Sequence, residues 1–543
     1  MSLHASLIPT VNESSSGKCG ARRQEVSAIE DSRRELSGTD QVYPQVTFDV
    51  LPDYVLLEMF DFYLAIMAVN LKFYHFISEY YPKDAWHTLV QVCKRWRSIV
   101  FASPHRLKLQ LLCTINTPVQ NKLDIWPELP IVIGGCVANP RMAIMICNTY
   151  EARMPVSKPQ NPKNIIAALK QHDRVAKVDM GDIPTSLLAR MRAMEMREPF
   201  SALTYLRLHS QSINASALPD SFLGGSAPRL QTLSLRGIPF PALPNLLLST
   251  HDLVTLELSE IPLSGYISPD AMVACLSAST RLKTLHLEFK FPRSRPDREN
   301  RHVPRLTRAV LPALTFLEFK GDSEYLEDIV AQIDTPLLTR FQITLVNRLV
   351  YDTPLLHRFI SRTEMFKAHR AELTFCGGEV KVKLYPRNGD NDNEISSLAI
   401  CKPFYWPYSS VSQVCDLALS TFPTLDFERL EINMTRSWEN VEDAQWVELL
   451  HPFTYIKDLV LRGASIQCVT PALEQLAGGS VTEMLPALQN ILLEGTPEQP
   501  SEPVKKMIGK FVAARQLSGR SVSVHHRESP SLTWQQMRWE VGD

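Results

Sequence analysis

The segment LTYLRLH (residues 203–209) is followed by LQTLSLR (230–236), LVTLELS (253–259) and LKTLHLE (282–288). Each places apolar residues at its first, fourth and sixth positions. Apolar residues alternating with polar ones are the pattern of a β-strand that buries one side. The unit extends in both directions. Val175, Val178 and Met180 precede it; Leu314, Leu317 and Phe319, then Leu338, Phe341 and Ile343, follow. Two degenerate units begin at Ala368 and Ile395. The pattern is restored by Phe427, Leu430 and Ile432, by Ile456, Leu459 and Leu461, and by Leu488, Ile491 and Leu493. Successive starts lie from 23 residues apart (230 to 253) to 32 (282 to 314).

The segments between the strands read as amphipathic helices: 186–196, 270–279, 325–333, 355–363 and 446–453. Strand and helix alternating at about 28 residues predict an α/β leucine-rich-repeat-like solenoid over 164–527, with parallel strands inside and helices outside. VKVKLY (380–385) adds an alternating strand, hence a hairpin on one repeat. The helix VKKMIGKFVAAR (504–515) and the strand SVSVHH (521–526) are expected to close the far end. Common repeats of this kind place Asn or Cys after the strand. Here Gln211, Ile238, Ile261 and Ala464 stand there, so the repeats are expected to be irregular.

A different pattern occupies residues 46–106. LPDYVLLEMFDFYL (51–64) repeats apolar residues at helical spacing, and WHTLVQVCKRWRSIVFASP (86–104) puts Leu89, Val92, Cys93, Trp96 and Val100 on one face. Asp84 is a candidate N-cap, and Ser103-Pro104 is a stop. Such short helices make a small core and leave apolar surface to be covered by something else. The Leu-Pro entry, the apolar helix and the V-C-K-R-W string resemble an F-box, with an insertion near residues 65–82. The whole chain resembles the expanded F-box family of mushroom-forming fungi. The resemblance implies a small all-α module that docks on a Skp-type adaptor, and through it on a cullin, in an SCF-type ubiquitin ligase. It implies that Leu51, Pro52, Val55, Leu56, Phe60, Leu89, Val92, Cys93 and Trp96 supply the apolar anchors. The following domain would then select a protein substrate for ubiquitin-dependent degradation, with no catalysis by this chain. The competing expectation is a non-catalytic repeat scaffold that uses a degenerate F-box only as a cap.

Composition sets limits. A net charge of −1 argues against whole-surface attraction to nucleic acid or to an anionic membrane. No stretch approaches the roughly 18 apolar residues of a membrane span, and no apolar signal region opens the chain, so a cytoplasmic or nuclear location is expected. Cys93, Cys275, Cys415 and Cys468 sit in apolar runs and read as small buried hydrophobes. Residues 1–45 are too polar to offset ordering entropy and read as a disordered leader. Residues 107–163 read as a connecting and capping segment: Leu107, Leu109 and Leu111 alternate as a strand, and prolines at 140, 155, 159 and 162 exclude a long helix. Residues 528–543 read as a tail.

No phosphate-binding, metalloprotease, nucleophile-elbow or dinucleotide motif occurs, and no metal or cofactor is expected. His525-His526 lacks a ligand pattern, and Asp390, Asp392 and Glu394 lack the glycine and distal glutamate of a calcium loop. The loop 291–308 carries six arginines against Asp297 and Glu299; a solvated loop is preferred over a grip on an acidic or phosphorylated segment. KPFYWPYSS (402–410) is read as core in preference to a binding patch. Because strand side chains alternate, Tyr205, Arg207, Glu257, His286, Phe316, Glu318, Arg340, Arg370, Arg429 and Glu431 are expected on the concave face. Their mixed charges and aromatics suit protein recognition.

Overall fold

A strand can bury one side of itself only if its neighbours stack in register, and the apolar rows of this chain do so. The computed structural model describes residues 50–72, 86–114, 123, 126, 128–136, 162–194, 196–212, 215–289, 308–345, 354–363, 368–376, 379–386, 398–401, 427–434, 443–451, 453–477, 484–495, 501–527 and 535–536. The leader, residues 73–82, Asp84, residues 137–161, the arginine loop before Arg308, Asp390 to Ile395, residues 402–410, Cys415 and nearly all of the tail lie outside the described residues.

Three helices come first. Helix α1 (Asp53–Lys72) starts directly after Pro52, whose carbonyl accepts from the Val55 and Leu56 N–H groups. It continues to Lys72, so residues 65–72 of the expected insertion lengthen the helix. Helices α2 (Trp86–Val92) and α3 (Lys94–Ala102) are separate, which breaks the single face expected from Leu89 to Val100. The break is Cys93. Its backbone is extended (φ −155°), and its Sγ caps α3 by accepting from the Trp96 N–H at 3.4 Å. Ser103 ends α3 as expected.

Among the described residues seventeen strands form one sheet. In chain order they begin with β1 (Leu111–Cys113), β2 (Ile131–Cys136), β3 (Val175–Gly181), β4 (Tyr205–His209), β5 (Thr232–Arg236), β6 (Thr255–Ile261) and β7 (Thr284–Phe289). A short separate pair, β8 (Ala309–Val310) and β10 (Ile333–Asp334), flanks β9 (Phe316–Gly321). Then come β11 (Arg340–Leu345), β12 (Ala368–Cys376), β13 (Glu379–Pro386), β14 (Leu398–Cys401), β15 (Arg429–Met434), β16 (Asp458–Gly463), β17 (Asn490–Glu494), β18 (Ser523–Arg527) and β19 (Gln535–Gln536). The sheet therefore starts at Leu111, ahead of the expected repeat boundary near 164. Leu107 lies in a turn, with Lys108 at φ 49°, and both Leu107 and Leu109 are buried without being strand residues.

Neighbouring strands follow chain order and are parallel, except in one place and at the last pair. After β11 the chain passes to β12, which pairs with β15. Strand β13 returns antiparallel to β12, as the hairpin reading expects, and β14 then lies parallel to β11. The spatial order is β11–β14–β13–β12–β15, the reverse of two successive repeats. An antiparallel return restores the original direction on the third strand, which lets β14 fill the slot beside β11.

Helices α4 (Pro162–Leu169), α5 (Thr185–Ala193), α6 (Leu243–Leu248), α7 (Pro269–Ala278), α8 (Ser323–Gln332), α9 (Pro354–Arg362), α10 (Asp443–Leu450), α11 (Ser465–Ala477) and α12 (Glu502–Leu517) alternate with the strands. The five helices expected from periodicity match α5, α7, α8, α9 and α10. Their buried faces and the leucine rows form one continuous apolar core. The result is a solenoid-like α/β fold.

Backbone bonds tie the turns where an Asn or Cys ladder is missing. Ser210 N–H donates to the Arg236 carbonyl, and Gly237 N–H to that of Ser259, both at 2.9 Å. Gly237 has φ 66°, and a Cβ there would approach the Ser210 carbonyl oxygen to 2.3 Å. At the strand entries one carbonyl serves two donors: that of Gln231 accepts from Val254 and Thr255, and that of Val254 from Lys283 and Thr284. Between helices, the buried Glu327 of α8 accepts from the Leu355 and Leu356 N–H groups at the start of α9, at 2.9 and 2.6 Å. Glu327→Ala leaves those donors without that acceptor and is expected to cost about 1–2 kcal/mol of stability, read from urea unfolding.

Candidate functional site

Two surfaces gather the residues singled out from the sequence. The first is on the helical module. Leu56, Phe60 and Leu89 are buried, so these three expected anchors hold the helices together. Trp96 packs on Phe60 with ring centroids 4.7 Å apart and, like Leu51 and Val55, is half-buried. Pro52, Val92 and Cys93 are exposed. For Cys93 this corrects the buried reading, which Cys275 does satisfy; burial pushes the Cys275 thiol up to about 11. Large apolar side chains are also exposed on α1, at Tyr54, Met59, Phe62 and Ile66. The spacing of Met59, Phe62 and Ile66 by three and four residues puts them on one stripe, and that signal was present in the sequence.

The entry to α1 is pinned from α3. Arg95 donates to the Leu51 carbonyl at 2.5 Å and pairs with Asp53 at 2.6 Å. Another side of the module meets the sheet domain: the Trp86 ring lies 5.2 Å from that of Trp126, and its Nε1–H donates to the Gln110 carbonyl at 3.0 Å.

The second surface is the sheet face opposite the leucines. Strand register aligns Asp179, Arg207, Ser234, Glu257, His286 and Glu318 in one row across β3 to β9. Arg207 pairs with Asp179 at 2.6 Å. The Lys177 ammonium lies 4.0 Å from the Tyr205 ring centre, and the Arg340 guanidinium 4.9 Å from that of Phe316. His286 Nδ1 is 2.9 Å from Glu318, and its Nε2 is 3.8 Å from Glu288. Burial opposes charge on this ring, but the neighbouring carboxylates of Glu288 and Glu318 outweigh it, and its pKa is raised to about 9. The nearby His286 ring, against burial and with help from Lys320, holds Glu288 at about 2.

Arg370 and Arg429 belong to the same face but lie beyond β14 and β13, apart from the group around Phe316 and Arg340. Glu431 sits between them and, against expectation, is fully buried. Its carboxylate is held by Arg370 at 2.7 Å, Arg429 at 2.8 Å and Arg462 at 2.9 Å. Arg462 also binds Glu494 at 2.9 Å, and Glu494 receives Arg527 at 2.8 Å. The sequence reading missed Arg462, Glu494, Arg527, Glu288 and Lys320. Arg462, Glu494, Glu288 and Lys320 stand one residue past the last apolar position of their units, and Arg527 one past the inward-facing His526, where the strand still runs and alternation still turns the side chain outward.

Among the described residues no cluster of three or more His, Cys, Asp or Glu is placed to hold a metal ion, and no helix is long and apolar enough to cross a membrane. No family model matches the chain, and no curated protein matches it.

The His286 cluster makes stability pH-dependent. Its raised pKa means that protonation favours the folded state; that contribution is complete below about 6.5 and is lost as pH rises toward about 9. The melting temperature is expected to fall across that window, and His286→Gln to flatten the fall.

Proposed function

We propose that this chain is the substrate-recognition subunit of an SCF-type ubiquitin ligase. The helical module, read as an F-box, docks on a Skp-type adaptor and through it on a cullin. The leucine-rich-repeat-like solenoid receives a protein substrate on its open face, and the chain performs no bond chemistry. One observation carries this reading: the module is packed internally yet leaves Pro52, Tyr54, Met59, Phe62, Ile66 and Val92 uncovered. Clustered exposed apolar residues mark a protein interface when they are rimmed by polar groups. Asp53, Glu58, Asp61 and Lys94 are exposed on or beside the same helices. The mixed charges and aromatics of the open face suit a polypeptide partner.

A second reading has its own support. The Trp86–Trp126 contact joins the module to the start of the sheet within one continuous core, as a cap would require. A cap, however, has no use for the exposed stripe on α1. The two readings separate on co-purification of the full chain with a Skp-type adaptor. Phe62→Asp and Val92→Asp alter exposed side chains, so circular dichroism should be unchanged. The ligase reading expects the double variant to lose the adaptor, at a cost of more than about 2 kcal/mol. Undiminished co-purification contradicts it and leaves the scaffold.

A further inference from the structure

On the open face of β12, β13 and β15–β18 the charges are layered. Three carboxylates lie at the bottom: the side chains of Glu431, Glu494 and Glu372 are 0, 3 and 10 % exposed. Arg370, Arg429, Arg462, Arg527 and Lys383 lie over them, 16 to 32 % exposed. Asp458 is on the same face, bonded by the Asn490 side-chain amide at 2.8 Å. Among the described side chains the cations number five and the anions four, so the surplus is small, but its placement is one-sided. Glu431, Glu494 and Glu372 accept from beneath, and the charge that remains toward solvent, apart from the half-buried Asp458, is guanidinium and ammonium.

The carboxylates also fix the arginines in place. Arg370 is held further by the Tyr385 ring, 4.6 Å from its guanidinium carbon, while the Tyr385 hydroxyl donates to Glu372 at 2.6 Å. A guanidinium fixed in this way has already lost the side-chain freedom that binding would otherwise remove. Its remaining N–H groups suit carboxylate and phosphoryl oxygens. The four arginines stand on β12, β15, β16 and β18, across four strand intervals. At roughly 4.8 Å per interval, and with Arg462 and Arg527 four register positions further along the strands than Arg370 and Arg429, this is a diagonal of about 23 Å. An extended peptide covers that length with about six or seven residues. A single small anion would touch only one end of it.

We propose that this face binds an extended acidic segment of a polypeptide, with carboxylate or phosphoryl groups contacting Arg370, Arg429, Arg462 and Arg527. The proposal rests on reading the open face as the substrate surface. It is independent of adaptor docking, so the test omits the adaptor.

The test uses the full chain and fluorescein-labelled peptides read by anisotropy: hexaglutamate, a phosphoserine-containing hexapeptide and neutral hexaglutamine. Binding of at least one acidic peptide, weakened by salt, is expected, with none for hexaglutamine. Preference for the glutamate or the phosphoserine peptide identifies the source of the charge. Arg429→Gln leaves Arg370 and Arg462 on Glu431 and should weaken binding about tenfold, and Arg429→Gln with Lys383→Gln further. Arg207→Gln, at the other end of the face, should leave it unchanged. Three results overturn the proposal: no acidic peptide bound, equal losses from Arg207→Gln and Arg429→Gln, or displacement of the peptide by inorganic phosphate as effectively as by unlabelled hexaglutamate. Circular dichroism spectra matching that of the wild type confirm that the variants are folded.

Discussion

Register between parallel strands is the constraint on which the rest of the molecule depends. Leu206, Leu233, Leu256, Leu285 and Leu317 are direct partners across β4 to β9, and each is buried. A slip of one residue in any strand would turn that row away from the helices and expose it. The backbone bonds at both strand ends enforce the same register, since each entry carbonyl holds the next two N–H groups. Apolar burial and hydrogen bonding therefore select one arrangement, and every side chain between the leucines is assigned to the other face.

That assignment divides the labour. The helix side carries most of the apolar burial, and polar groups there serve packing, as Glu327 does for α9. The opposite side is freed for charge. It falls into two territories separated by strand β14. The nearer one, centred on His286, intersperses both signs along a row of half-exposed residues. The farther one buries its carboxylates under arginines. Burying Glu431 alone would cost far more than any single interaction returns. Three guanidiniums on one carboxylate make its burial tolerable and hold those guanidiniums at a fixed height above the sheet.

Much of this was legible in the sequence because the leucine rows are strictly periodic. The helices around Leu187, Met272, Leu326 and Leu356 followed from the same reading, as did the closing helix at Val504. What was not legible depends on geometry that periodicity does not encode. The swap of β12 and β14 follows from an antiparallel return, and VKVKLY showed a hairpin without showing where its arms would dock. Cys93 looked like one more apolar position but breaks a helix, because its backbone extends and its thiol caps the following turn. Leu107 and Leu109 alternate as a strand would, but one is buried in a turn and the other just after it. Glu431 sits at an outward position, and only the convergence of arginines from three other strand positions buries it. On α1, reading the pattern only for its buried face left Phe62 and Ile66 unnoticed and grouped Met59 with the buried residues, although it is exposed.

Under the proposed function the molecule meets partners through two separate surfaces, and the outer side of α1 and α2 faces an adaptor. Hydrogen–deuterium exchange of the full chain, with and without a purified Skp-type adaptor, tests this most directly. The account predicts new protection confined to residues 50–66 and 86–96, with β4 through β18 unchanged. Absence of protection there, or protection on the sheet strands instead, would contradict it.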